Sequence, residues 1–179
     1  MVAALGEEWR HHPEPNPGRR SDSVRCTVPI PAKFVHTNLI AHDWKRLAAF
    51  YEGVFGCTRI PPERDLSGDW LDATTGLPNA RIRGVHLRLP GYESGGPTLE
   101  IFQYDREEER PRTAVNRPGF GHIAFAVDNV GAARDAVLAA GGRSVGDLVS
   151  ARIPGAGTIN VVYMMDPEDN VIELQHWTD

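Results

Sequence analysis

The sequence predicts an α+β fold made of two copies of a βαβββ module, whose strands curl into a cupped, partly open β-barrel with the helices outside. Two observations lead there. KFVHTNLIAHD followed by WKRLAAFYEGVFG recurs later as GFGHIAFAVDN followed by VGAARDAVLAAGG, and a strand–helix unit that recurs marks a repeated module. Each copy is followed by three more strand-like stretches: CTRIPP, RIRGVHLRLP and TLEIFQY in the first half, and RSVGDLV, TINVVYMM and NVIELQHW in the second.

Taken in chain order, residues 1–30 are rich in Pro, Arg, Glu and His and follow neither a helical nor a strand period, so they read as a flexible arm. His11 and His12 within it read as a solvated pair, because no other ligand type lies at a useful spacing. The first module is placed at 31–105, a linker at 106–117 and the second module at 118–179. In the first helix Leu47, Phe50, Tyr51 and Val54 make one apolar stripe behind an Asp43 cap, with Gly56 past its end. That stripe needs a sheet to cover. RDLSGDWLDATTGLPNA reads as a loop inserted between the second and third strands. DREEERPR reads as a solvated linker, and DPEDN as the hairpin turn before the last strand.

Composition narrows the function. At 179 residues, 41% hydrophobic and 24% charged, the chain has the make-up of an ordinary globular protein. A formal net charge of −5 with no basic stripe argues against nucleic acid, and no run is long and apolar enough to span a membrane. Cys26 and Cys57 lack any paired spacing, so neither a disulfide framework nor a thiolate metal site is expected. The start MVAALGEEWRHHPEP does not read as a secretory signal, and a cytoplasmic location is expected.

Strand alternation picks out the chemistry. If Val35, Thr37 and Leu39 cover the first helix, His36 points to the other face; Ile123, Phe125 and Val127 do the same for His122. LEIFQY separates Glu100 from Leu99 and Ile101, and VIELQ separates Glu173 from Ile172 and Leu174. Each residue alone has an ordinary reading as a hydrogen-bonded histidine or a solvated carboxylate. Repetition changes this, because two carboxylates on largely apolar sheets cost several kcal/mol unless paired or bound to metal. His36, Glu100, His122 and Glu173 are therefore expected to share one divalent ion. On RIRGVHLRLP, Val85, Leu87 and Leu89 would face the helix and His86 and Arg88 the cavity. Arg88 there reads equally as an anion-binding group and as half of a rim ion pair. Tyr163, on a strand apolar on both faces, reads first as a core residue and second as cavity lining.

These motifs resemble the vicinal oxygen chelate superfamily, which includes glyoxalase I, methylmalonyl-CoA epimerase, extradiol dioxygenases and the fosfomycin and bleomycin resistance proteins. The resemblance covers residues 33–177 and rests on HTNLIAHDWKRLAAFYEGVFG, LEIF, PGFGHIAFAVDNV and DPEDNVIELQ. The His, Glu, His, Glu order is similar to glyoxalase I; the epimerases usually carry Gln where Glu100 stands, and extradiol dioxygenases use only two His and one Glu. Arg117 lies near the place of a basic residue of glyoxalase I, shifted by Pro118. What the resemblance implies is a lyase or isomerase of glyoxalase I type, in which Zn, Ni, Co, Mn or Fe stabilises an enediolate and Glu173 first, Glu100 second, serves as the base. The substrate would be a small oxo- or hydroxyacyl compound and the assembly a homodimer, with modules pairing within a chain or between chains. The alternatives are a metal-dependent epimerase, a metal-free binding or resistance protein, and an extradiol-type dioxygenase.

Overall fold

Each half begins with a short strand that feeds a capped helix. In the computed structural model, which describes residues 31–179, β1 (His36–Ile40) runs into α1 (Trp44–Phe55). The arm at 1–30, with His11, His12 and Cys26, lies outside the described residues. Asp43 caps α1 by accepting from Lys45 N and Arg46 N, and Gly56 ends it in the left-handed conformation. Leu47, Phe50 and Tyr51 are buried along the predicted stripe. β2 (Thr58–Ser67), β3 (Arg81–Arg88) and β4 (Thr98–Tyr104) complete a sheet ordered β1-β4-β3-β2. The second half repeats this with β5 (Ile123–Ala126), α3 (Val130–Ala139), β8 (Gly157–Met165) and β9 (Val171–Thr178), in the order β5-β9-β8. The result is the α+β fold the sequence predicts, with two cupped sheets that do not close into a barrel.

Two segments depart from expectation. The stretch read as an inserted loop instead lengthens β2 to Ser67 and then forms α2 (Asp69–Thr75). Asp72 fixes the turn between α2 and β3 by accepting from Asn79 N and Ala80 N, and Leu71 packs with Ile82 and Phe102, giving this insertion an apolar anchor that an exposed loop lacks. In the second half RSVGDLV is a two-residue β6 (Arg143–Ser144), and then β7 (Val149–Ile153) starts at its last Val; both pair with β8, so one edge strand is broken in two.

The helix-side faces of both sheets share a single core. Leu39, Val85, Leu87, Leu99 and Ile101 from one sheet join Phe125, Val162, Met164, Ile172 and Leu174 from the other, with α1 packed among them. Phe55 of α1 stacks on Phe125 of β5 at 3.9 Å between ring centres. Because neighbours along a strand point to opposite faces, burial of these residues turns both histidine- and glutamate-bearing faces away from the common core.

The DPEDN turn does more than reverse the chain. Asp166, 1% exposed, accepts from the Tyr51 hydroxyl of α1 at 2.9 Å, from Glu168 N and Asn170 N at 2.9 Å, and from Asn170 Nδ2 at 2.8 Å. Burial raises its carboxyl above the ordinary value, against the opposing pull of these donors. The linker, read as merely solvated, is exposed but tethered: Arg110 donates to Glu168 O and Asn170 Oδ1, and His42 contacts Glu107. Tyr51→Phe deletes one donor while Asp166 keeps its other three, so unfolding in urea should show a loss of about 1 kcal/mol. No measurable loss would mean that this bond does not join the two halves.

Candidate functional site

Cross-strand register lines up the predicted residues in the same pattern twice. On the first sheet Asn38, Glu100 and His86 form a row across β1, β4 and β3. On the second, Ala124, Glu173 and Tyr163 form the equivalent row across β5, β9 and β8. In both halves the histidine, His36 or His122, lies two residues before the β-strand residue that faces the glutamate. The repeat therefore holds at the level of individual positions.

The contacts obey the rows. His36 Nδ1 and His86 Nδ1 each lie 3.3 Å from the same Glu100 oxygen, Oε1. His122 Nε2 lies 2.8 Å from Glu173 Oε2. Tyr163 stands directly across from Glu173 on the neighbouring strand, and its ring centre is 5.1 Å from that of His122. Both carboxylates are largely withdrawn from solvent, with side chains 12% exposed, while His36 and His122 remain at 44% and 36%. Partial burial and the Glu173 charge push the Tyr163 phenol above its ordinary pKa; burial pulls His86 down, against the opposing pull of Glu100.

The structure thus makes two pairs, His36 with Glu100 and His122 with Glu173, and adds one cross-strand residue to each. It does not bring all four together within one chain. Among the described residues no three His, Cys, Asp or Glu side chains form a group placed to hold a metal ion. Arg88, on the face of His86, makes no ion pair among the described residues. Tyr163 is 37% exposed, which corrects its reading as a core residue: the apolar residues of β8 hid which of its faces is open.

A cavity of about 470 Å³ borders the second pair, lined by His122, Tyr163, Arg117, Asn116, Val115 and Val171. Arg117 also borders an adjoining cavity of about 310 Å³ with Leu39, Thr113, Phe120 and Ile123, so one cation reaches both. Beside the first pair stands an apolar cluster. Phe102 meets His86 edge-on at 5.8 Å, and behind it stand Leu71, Ile82 and Ala80. Sequence reading missed the placement of His86 and Tyr163 opposite the glutamates. The signal was present in the repeat, since both residues stand directly across from the glutamate of their own half.

A sequence profile of the Glyoxalase/Bleomycin resistance protein/Dioxygenase superfamily matches residues 33–174. The chain belongs to this superfamily. Its relatives include a "Probable lactoylglutathione lyase" of Vibrio parahaemolyticus, 27% identical over 143 residues, covering 79% of this chain and 88% of that protein. Similar folds include a glyoxalase family protein from Bacillus cereus, with a TM-score of 0.71 at 15% identity over 86% of this chain and 99% of that one. A fosfomycin resistance protein from Listeria monocytogenes has a TM-score of 0.52 at 20% identity, over 84% of this chain and 94% of that one. The two likenesses in structure establish the fold.

Gly84 is what lets Phe102 lie against β3. A Cβ there would stand 2.5 Å from Phe102 Cδ1 and 2.0 Å from Ile101 O. Gly84→Ala should therefore push Phe102 off His86 and cost about 1–3 kcal/mol, seen as a lower denaturation midpoint together with shifted His86 ring resonances. An unchanged His86 signal would show that Phe102 does not shape its surroundings.

Proposed function

We propose that the chain is a metal-dependent lyase or isomerase of the glyoxalase I type, moving a proton next to the carbonyl of a small oxo- or hydroxyacyl compound. One observation carries this reading: a histidine and a nearly buried glutamate occupy matching register positions in both halves. His36, Glu100, His122 and Glu173 would hold one divalent ion, Zn, Ni, Co, Mn or Fe. Their chemistry fits. Neighbouring ligands about 2.1 Å from an ion stand roughly 3 Å apart, close to the 3.3 Å and 2.8 Å of the two pairs. Since both faces turn away from the common core, we place the complete set between two copies of the chain, the first half of one facing the second half of the other.

Bound there, the ion supplies a Lewis acid that lowers the cost of removing a proton beside a carbonyl. The chain's residues do the rest. Glu173 accepts the proton and returns it, with Glu100, between His36 and His86, as the second carboxylate. Arg117, in the cavity beside His122, offers a cation to an anionic group of the substrate, and Arg88 offers one on the first sheet. The name carried by the Vibrio relative supports this class of reaction.

Metal analysis after reconstitution tests the reading. We expect close to one transition ion per chain, and less than about a tenth of an equivalent would favour a metal-free binding protein instead. The two carboxylates are then separated by proton exchange into deuterated water, monitored by NMR on a panel of 2-oxoaldehyde hemithioacetals and 2-hydroxyacyl thioesters. Glu173→Gln should abolish exchange yet keep measurable metal, because an amide oxygen coordinates but the amide does not take up the proton. Glu100→Gln should retain more exchange. Equal losses would remove Glu173 as principal base.

A further inference from the structure

His86 and Tyr163 occupy the same place in the two halves, and neither belongs to the set of four metal donors proposed above. His86 faces Glu100 across β3 and β4, and Tyr163 faces Glu173 across β8 and β9. His86 Nδ1 stands 3.3 Å from Glu100 Oε1, and Tyr163 faces Glu173 with its ring centre 5.1 Å from that of His122. Position is repeated here although residue type is not.

We propose that His86 and Tyr163 are equivalent positioning residues, each holding the carboxylate opposite it in the orientation from which that carboxylate meets the metal ion. The physical reason is rotamer freedom. A glutamate has three rotatable bonds, and fixing it as a ligand costs entropy unless another group already holds it. One donor aimed at a carboxylate oxygen meets that cost before the ion arrives. A hydroxyl or an imidazole N–H serves equally, so the two halves can differ in residue while sharing the role. They differ in kind: Glu100 Oε1 is approached by two imidazoles, His36 and His86, each at 3.3 Å, whereas Glu173 Oε2 is approached by the His122 imidazole at 2.8 Å and its residue faces a phenol across the strand.

This inference rests on the metal-dependent reading, and titration of nickel ion into the purified full chain by calorimetry, together with the melting temperature of the nickel-free protein, tests the two separately. Tyr163→Phe and His86→Phe should each weaken nickel binding about 10- to 100-fold with the melting temperature unchanged. Tyr163→His, which installs the donor used by the other half, should restore affinity to within a few-fold of wild type. If wild type binds no nickel, the functional reading fails and this inference falls with it. If wild type binds but the Phe variants bind as tightly, or Tyr163→His fails to rescue a stable protein, only the positioning role is overturned. A loss of affinity matched by a loss of melting temperature would also overturn it, since that marks a structural role.

Discussion

Leaving a carboxylate unpaired inside an apolar sheet costs several kcal/mol, and the surroundings of Glu100 and Glu173 are organised round that cost. Each lies among strands whose other face is filled by Leu99 and Ile101, or by Ile172 and Leu174, with no room for water on that side. Each is met by a histidine and faced by the residue across the neighbouring strand. Neither arrangement would survive a one-residue slip of register, because the glutamate would enter the core and a leucine or isoleucine would leave it. The pairing of β4 with β1 and β3, and of β9 with β5 and β8, is therefore tied to the chemistry of two side chains.

The same alternation determines which surfaces are free. With the helix-side residues of both sheets merged into one core through α1, the glutamate-bearing faces look outward. Tyr51, Asp166 and Arg110 tie α1, the last hairpin and the linker together, so each half holds its position against the other. Ile40 and Phe120 stand exposed near the two histidines in sequence, at 46% and 74%. A second copy covering the outward faces would bury such residues while completing the donor set.

Much of this was legible in the residues. The repeat gave the order of elements, and alternation on HTNLI, HIAFAV, LEIF and VIEL gave the faces of all four candidate donors, since a period of two is unambiguous where one face is uniformly apolar. What stayed hidden needed pairing partners. Tyr163 lies on a strand apolar on both sides, so its own neighbours could not say which face is open. Asp166 reads as an ordinary turn residue because nothing local announces that Tyr51, far away in sequence, will donate to it. The helix α2 was masked by its flanking Gly and Pro, and its anchor, Leu71, acquires meaning only once Ile82 and Phe102 are in place. Nor does alternation alone tell whether two donor faces meet inside one chain or between two.

The central claim, one ion held by the first half of one copy and the second half of another, is tested most directly by mixing two defective chains. One carries His36→Ala with Glu100→Ala, the other His122→Ala with Glu173→Ala, and bound metal is measured before and after they are unfolded and refolded together. A site shared between copies predicts that neither chain binds metal alone and that binding returns on mixing, since a mixed dimer regains one intact set of donors. If the mixture stays as empty as its components, or if either variant alone binds as wild type does, the shared site is contradicted.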